Sequence, residues 1–192
     1  DKTVAQYDMY SVVDEYGGLG LVKMDLLGIR NLSILGRARE YVKKNRDIEI
    51  NLDKLPLDDA KTYAMLSRGE TMGVFQLSSS GMTKWLMELK PKKITDLSAM
   101  VALYRPGPMG SIPEYIERAN DPSKVKYLDP RMESYMSQSL GLLVYQEDLL
   151  YTATNIAGYP WDKADKFRKA VGKKKPEEMA KQKGPFIEGC VA

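Results

Sequence analysis

The sequence predicts a mainly α chain with a small β element, an α+β fold. Three observations carry that prediction. From residue 29 onward, apolar positions recur at helical spacing in one stretch after another. Those stretches open on capping residues and close on glycine or proline. One segment near the N-terminus, residues 19–27, instead reads with the two-residue period of a strand.

In order along the chain, TVAQYD alternates weakly and suggests a short strand. In GLGLVKMDLLGIR (18–30), a strand over 19–27 puts Leu21, Lys23, Asp25 and Leu27 on one face and Val22, Met24 and Leu26 on the other. Both charges are then presented together from an element with an apolar back. After Gly28, Ile29, Leu32, Leu35, Ala38 and Val42 mark a helix, with Arg30, Arg37 and Lys44 elsewhere around it. Helices are expected over 57–69, with Asp58 as N-cap and Gly69 as terminator, and over 79–91, starting at serines and stopping at proline. The stretch 73–77 between them is expected to be extended. A helix over 94–104 ends there because Arg105 precedes Pro106. Further helices are expected at 112–120, in MESYMSQSLG, at 144–158 and at 161–172, the last with Asp162 as N-cap and Gly172 as terminator. Pro176 followed by Glu177 and Glu178 starts another. A lone strand is unstable, so residues 1–30 read as the edge of a sheet whose other strands lie outside this chain.

Composition narrows the chemistry. With 43% hydrophobic and 29% charged residues in 192, the chain reads as globular. No apolar run reaches about 18 residues, so no membrane span is expected. DKTVAQYD has no basic start followed by an apolar block, so no secretory signal is expected. One cysteine excludes an internal disulfide and suits the cytoplasm. The absence of histidine removes His-based acid–base catalysis and, with a single cysteine, leaves no structural zinc set. The formal charge is +3, yet residues 161–183 hold nine Lys/Arg against four Asp/Glu. The basic character is therefore expected in that one segment.

Several constellations could carry chemistry. A strand-borne Asp25 beside Lys23 suits a divalent cation and a phosphate, because Mg²⁺ takes carboxylate and phosphate oxygens; the alternative is an exposed ion pair of little worth. Arg168, Lys169 and the lysines Lys173, Lys174 and Lys175 can track phosphates, or form a solvated charge run. Arg105, at the proline-fixed turn YRPGP, can clamp a phosphate or brace the turn. KWLMELKPKK (84–93) can line a nucleic-acid groove, or give Trp85, Leu86 and Leu89 to the core.

Taken in order, LVKMDLLGIRNL, DDAKTY, GVFQLSSSGM, ALYRPGP, YQED and AVGKKKPEEMAKQ resemble the C-family replicative DNA polymerases, the alpha subunits of bacterial DNA polymerase III. The resemblance covers the whole chain, from late palm into fingers. It implies a helical fingers region attached to the edge of a polymerase-beta-like palm, with palm over 1–36 and fingers over 37–192. Asp25 then matches the third Mg²⁺-binding aspartate and is the implied catalytic and metal residue. Lys23, Arg168 and Lys169 match nucleotide-facing positions; Arg105, grouped with them for nucleotide binding, matches the arginine of the family's RPGP turn, with a structural or a phosphate-facing role; and Lys173, Lys174 and Lys175 match a DNA-binding basic turn. The implied partners are primer–template DNA, an incoming dNTP and other replicase subunits, including the sliding clamp through regions absent here, with no membrane. The other two aspartates and a glycine–serine loop are expected before residue 1, so the chain alone is expected to be inactive. Ser78 stands where the family often has glutamate; Lys169 stands where a second arginine is common, and lysine there keeps the charge but loses the bidentate fork of a two-armed phosphate grip. A non-enzymatic nucleic-acid-binding module using 161–183 is the alternative, and a purely structural helical interaction domain is a further one. The apolar back of 19–27 is also expected to promote self-association.

Overall fold

A computed structural model describes residues 3–4, 6–13, 17–173 and 176–191. They divide into two compact units, Asp1–Asp53 and Lys54–Ala192. No helix among the described residues is long and apolar enough to cross a membrane.

The first unit holds α1 (Met9–Val12) and α2 (Arg30–Arg46). Asp8 caps α1 by accepting the N–H groups of Tyr10 and Ser11, and Asp47 ends α2 in the left-handed region, φ 51°. The strand expected over 19–27 is not formed. A single parallel bridge joins Val13 to Leu21, where the Leu21 N–H donates to the Val12 carbonyl at 2.9 Å. Residues 22–29 have no regular structure. A strand needs a neighbour along its length to take its backbone groups, and among the described residues only this one bridge is made. The expected apolar back is not covered either: Val22, Met24 and Leu26 are exposed. The helix expected after Gly28 is present, yet none of its residues is buried.

The second unit is built of helices joined by turns and irregular segments. α3 (Ala60–Ser67) is capped by Asp59, one residue beyond the expected Asp58, with the Asp59 carboxylate accepting from Lys61 and Thr62. Residues 73–77 are turns rather than extended chain, and Gln76 sits at φ 58°. Ser79 caps α4 (Ser80–Leu89) through the Met82 N–H, and α5 (Ile94–Leu103) stops before the Arg105–Pro106 step, as expected. A 3₁₀ turn, Pro108–Ser111, leads into α6 (Ile112–Asn120). Short 3₁₀ turns and α7 (Glu133–Met136) lead to α8 (Gln146–Asn155), α9 (Trp161–Lys173) and α10 (Pro176–Val191). The start of α9 is not at Asp162: the Ala164 N–H bonds the Pro160 carbonyl at 3.0 Å, and the helix runs on through Gly172.

Two hydrophobic clusters hold this unit. The first joins α3 to α6 around Leu66, Met82, Leu86, Met100, Leu103 and Tyr115. Burying each leucine side chain contributes about 2 kcal/mol. Leu86 and Leu89 belong to it with Trp85 at its edge, which settles KWLMELKPKK on its core reading. The second cluster joins α8, α9 and α10 through Ala153, Ala164 and three aromatic rings. Phe167 stacks on Phe186 at 5.1 Å and 11°, and Tyr159 meets both rings edge-on at 6.0 and 6.2 Å.

Candidate functional site

The sequence-predicted residues fall in three places. Lys23 and Asp25 lie in the first unit, Arg105 at the end of α5, and Arg168, Lys169 and Lys173 on α9. Lys174 and Lys175 lie outside the described residues.

Lys23 and Asp25 are brought together even without a strand. The Lys23 ammonium stands 3.5 Å from the Asp25 carboxylate, which is 81% exposed. So exposed a pair adds little stability. What it does is keep a hard oxygen donor and a cation in solvent, within an otherwise apolar run. For a divalent cation this is one ligand position, and no cluster of three or more acidic, Cys or His side chains able to hold a metal gathers among the described residues.

Arg105 is set by its turn. Its carbonyl accepts the Met109 N–H at 3.3 Å, and Gly107 takes φ 117°, a conformation open to glycine. The Arg105 side chain is exposed and forms no ion pair among the described residues. The preceding residue ties this turn to a second sequence motif. A Cβ placed on Gly81, in FQLSSSGM, would stand 2.1 Å from the Tyr104 hydroxyl. Glycine at 81 is what lets the tyrosine of YRPGP lie against α4.

The best-organised cations are on α9. Arg168 donates through Nε and Nη2 to one Asp165 oxygen at 3.0 and 2.7 Å, and through Nη1 to Gln146 Oε1 at 3.1 Å. The Lys169 ammonium reaches the other Asp165 oxygen at 3.1 Å. Hydrogen bonds from Arg168, then from Lys169, hold the Asp165 carboxyl below its ordinary range. Arg168 borders a groove of about 260 Å³ between the start of α8 and the end of α9, together with Tyr145, Gln146, Leu149, Val171 and Gly172. Two cations thus share one carboxylate beside an open groove, an arrangement suited to a polyanionic ligand.

The groove wall is itself braced. The Asp148 carboxylate accepts the N–H groups of Val144 and Tyr145 at 3.0 and 2.8 Å, fixing the start of α8. Burial raises its pKa while those bonds pull it back. The Asp96 carboxylate likewise fixes the start of α5, accepting the backbone N–H groups of Lys92 and Lys93. Arg118 donates to the carbonyls of Lys126 and Leu140 at 3.1 and 2.6 Å, pinning the turn that leads to α8. Sequence reasoning assigned no part in aiming the cations to Gln146, Asp165 or Arg118. The signal for Asp165 was present, since it precedes Arg168 by three residues and Lys169 by four. Gln146 and Arg118 reach partners 22 residues away, which no local spacing reveals.

Residues 31–192 match the family described as the bacterial DNA polymerase III alpha subunit finger domain. The chain is 47% identical to DNA polymerase III subunit alpha of Thermus aquaticus over 98% of its own length and 16% of that relative's. It is 45% identical to the subunit of Halalkalibacterium halodurans and 43% to that of Staphylococcus aureus strain COL, over 90% of this chain and 16% of each relative. The chain therefore spans about a sixth of the length of the relatives it matches. On these matches, it belongs to the bacterial DNA polymerase III alpha subunits, with the finger domain of that family over residues 31–192.

Proposed function

We propose that this chain is the late palm and fingers of a replicative DNA-directed DNA polymerase, with palm over 1–36 and fingers over 37–192. In the full-length protein, residues 19–27 would complete the edge of a polymerase-beta-like sheet, gaining the neighbours that a lone strand lacks. The reaction is attack of a primer 3′-hydroxyl on a dNTP with release of pyrophosphate.

One observation carries the reading: in a chain of this family, the Asp25 carboxylate is held 81% exposed, within reach of a lysine, inside an apolar segment. Asp25 would hold Mg²⁺ together with carboxylates from outside this chain. Bound there, the cations supply positive charge at the attacking and leaving oxygens. Lys23 would orient a phosphate oxygen next to that carboxylate. Arg168 and Lys169 would bind the triphosphate, held ready by Asp165 and Gln146. Lysine at 169 neutralises a phosphate as a point charge without the bidentate fork of arginine. Arg105 would face phosphate from its rigid turn, and Lys173, Lys174 and Lys175 would contact the DNA backbone. Primer–template DNA, incoming dNTP, the sliding clamp and other replicase subunits are the partners, the last two through regions outside this chain.

The test is Asp25→Asn in the full-length protein. The expected result is a loss of primer extension of at least about two orders of magnitude with DNA binding kept. The purified 192-residue chain is expected to give no template-dependent extension. Full extension by the Asp25→Asn protein would remove Asp25 from the metal site and leave this segment the role of a non-enzymatic nucleic-acid-binding module within the longer protein.

A further inference from the structure

The basic character is not confined to 161–183. The seventeen residues of α2 carry Arg30, Arg37, Arg39, Lys43, Lys44 and Arg46 against a single acid, Glu40, a surplus as large as that of 161–183. The difference lies in the partners. In the Lys54–Ala192 unit, Arg68, Arg118, Arg131 and Arg168 each hold a carboxylate. On α2 one ion pair forms among the described residues, Lys43 to Asp47 at 3.0 Å. No α2 residue is buried among the described residues, so within this chain these cations answer no buried charge.

Their geometry is ordered. Arg30, Arg37 and Lys44 are exposed and recur every seven residues. A helix drifts only about 20° per heptad, so the three form one stripe. At about 1.5 Å per residue, the stripe is about 21 Å long with charges about 10.5 Å apart. Even spacing along a straight line suits a polymer of constant charge density better than an acidic peptide, whose charges come in irregular clusters.

We propose that the Arg30–Arg37–Lys44 stripe of α2 is a contact surface for the phosphate backbone of duplex DNA, binding without reading sequence. The inference rests on the polymerase reading for the identity of the polyanion, and it is independent of Asp25.

The experiment measures the affinity of the full-length protein for a random-sequence duplex across a salt series. Replacing Arg30, Arg37 and Lys44 together by alanine is expected to flatten log K against log salt by up to about 2.7, or about 0.9 for each phosphate no longer neutralised, with affinity falling about tenfold or more. Arg30→Lys with Arg37→Lys keeps the charges and is expected to keep the slope, which separates phosphate binding from damage to the helix. Arg39→Ala with Arg46→Ala, on the opposite side of α2, is expected to leave the slope near that of the parent. An unchanged slope in the alanine variant overturns the proposal, as does equal loss in the lysine variant or in the opposite-side variant. So does an unchanged slope accompanied by lost binding to another replicase subunit, which would make the occupant an acidic protein surface. The polymerase reading fails on Asp25→Asn and this one on the salt slope, so the two failures are distinguishable.

Discussion

Leu86 and Leu103 are 0% exposed, whereas Leu26 and Leu27 are 98% and 90% exposed, although all four stand in stretches of similar apolar density. In the Lys54–Ala192 unit, helices from distant parts of the chain close over one another. In the Asp1–Asp53 unit, the described residues offer the apolar side chains of 21–35 no such cover. Apolar content thus specifies a tendency to be buried, and the partner decides whether burial occurs. The unit that folds on itself also pairs four of its arginines, Arg68, Arg118, Arg131 and Arg168, with carboxylates, while among the described residues the arginines of α2 form no ion pair.

The sharpest way to break this comparison is to truncate on both sides. Leu86→Ala or Leu103→Ala should cost about 3 kcal/mol or more in denaturant unfolding of this chain, through lost transfer energy and a residual cavity. Leu26→Ala should change that stability by less than about 0.5 kcal/mol. In the full-length protein Leu26→Ala should become costly, and the isolated chain should self-associate as its concentration rises. A monodisperse species at high concentration by light scattering would count against the exposed face being adhesive.

A smaller effect tests the tie between the serine-rich and RPGP motifs. Gly81→Ala should lose about 1–2 kcal/mol, because its Cβ meets the Tyr104 hydroxyl. Tyr104→Phe should restore most of that loss in the double variant, since the nearest ring carbon is 3.1 Å away.

At the α9 site, Gln146→Leu removes one partner of Arg168 and leaves Asp165 in place. In the full-length protein the nucleotide KM should rise roughly 2- to 10-fold, the worth of one hydrogen bond, with kcat changed less. An unaltered KM would show that Arg168 needs no aiming from α8.

The smallest effect is a pH window. Arg131 hydrogen bonds hold the Asp129 carboxyl down at about 2, against an ordinary 3.8. The folded-state value is depressed, so this contribution to stability is present above 3.8 and fades as the pH falls toward about 2. Urea midpoints of Arg131→Ala should therefore lose part of the parent's acid sensitivity in that interval.

Much of the helical unit was legible from residues alone. Ser79, Gly69 and the Arg105–Pro106 step mark the ends of helices where caps and steric rules put them. Asp58 and Asp59 are adjacent acids, either of which could cap by type, and it is the second whose carboxylate accepts the Lys61 and Thr62 N–H groups. Gly172 failed as a terminator because α9 is held on both sides by packing, through Phe167 and Val171 in the cluster with α8 and α10. The period of 19–27 is that of a strand, yet pairing is a property of two segments, and the residues of one do not supply the other. At the site, the cations were legible by type and spacing. The residues that aim them were not, since Gln146 and Arg118 act across 22 residues of sequence.

The stacked rings of Phe167 and Phe186, with Tyr159 set across their edges, act on α9 as a keyed joint acts on a shaft. Arg168 follows Phe167 directly, so the backbone that carries it cannot turn about the helix axis without prising those rings apart. The guanidinium is thus moved by its own side-chain torsions from a fixed root, and a rotation of that root would have to carry α10 with it.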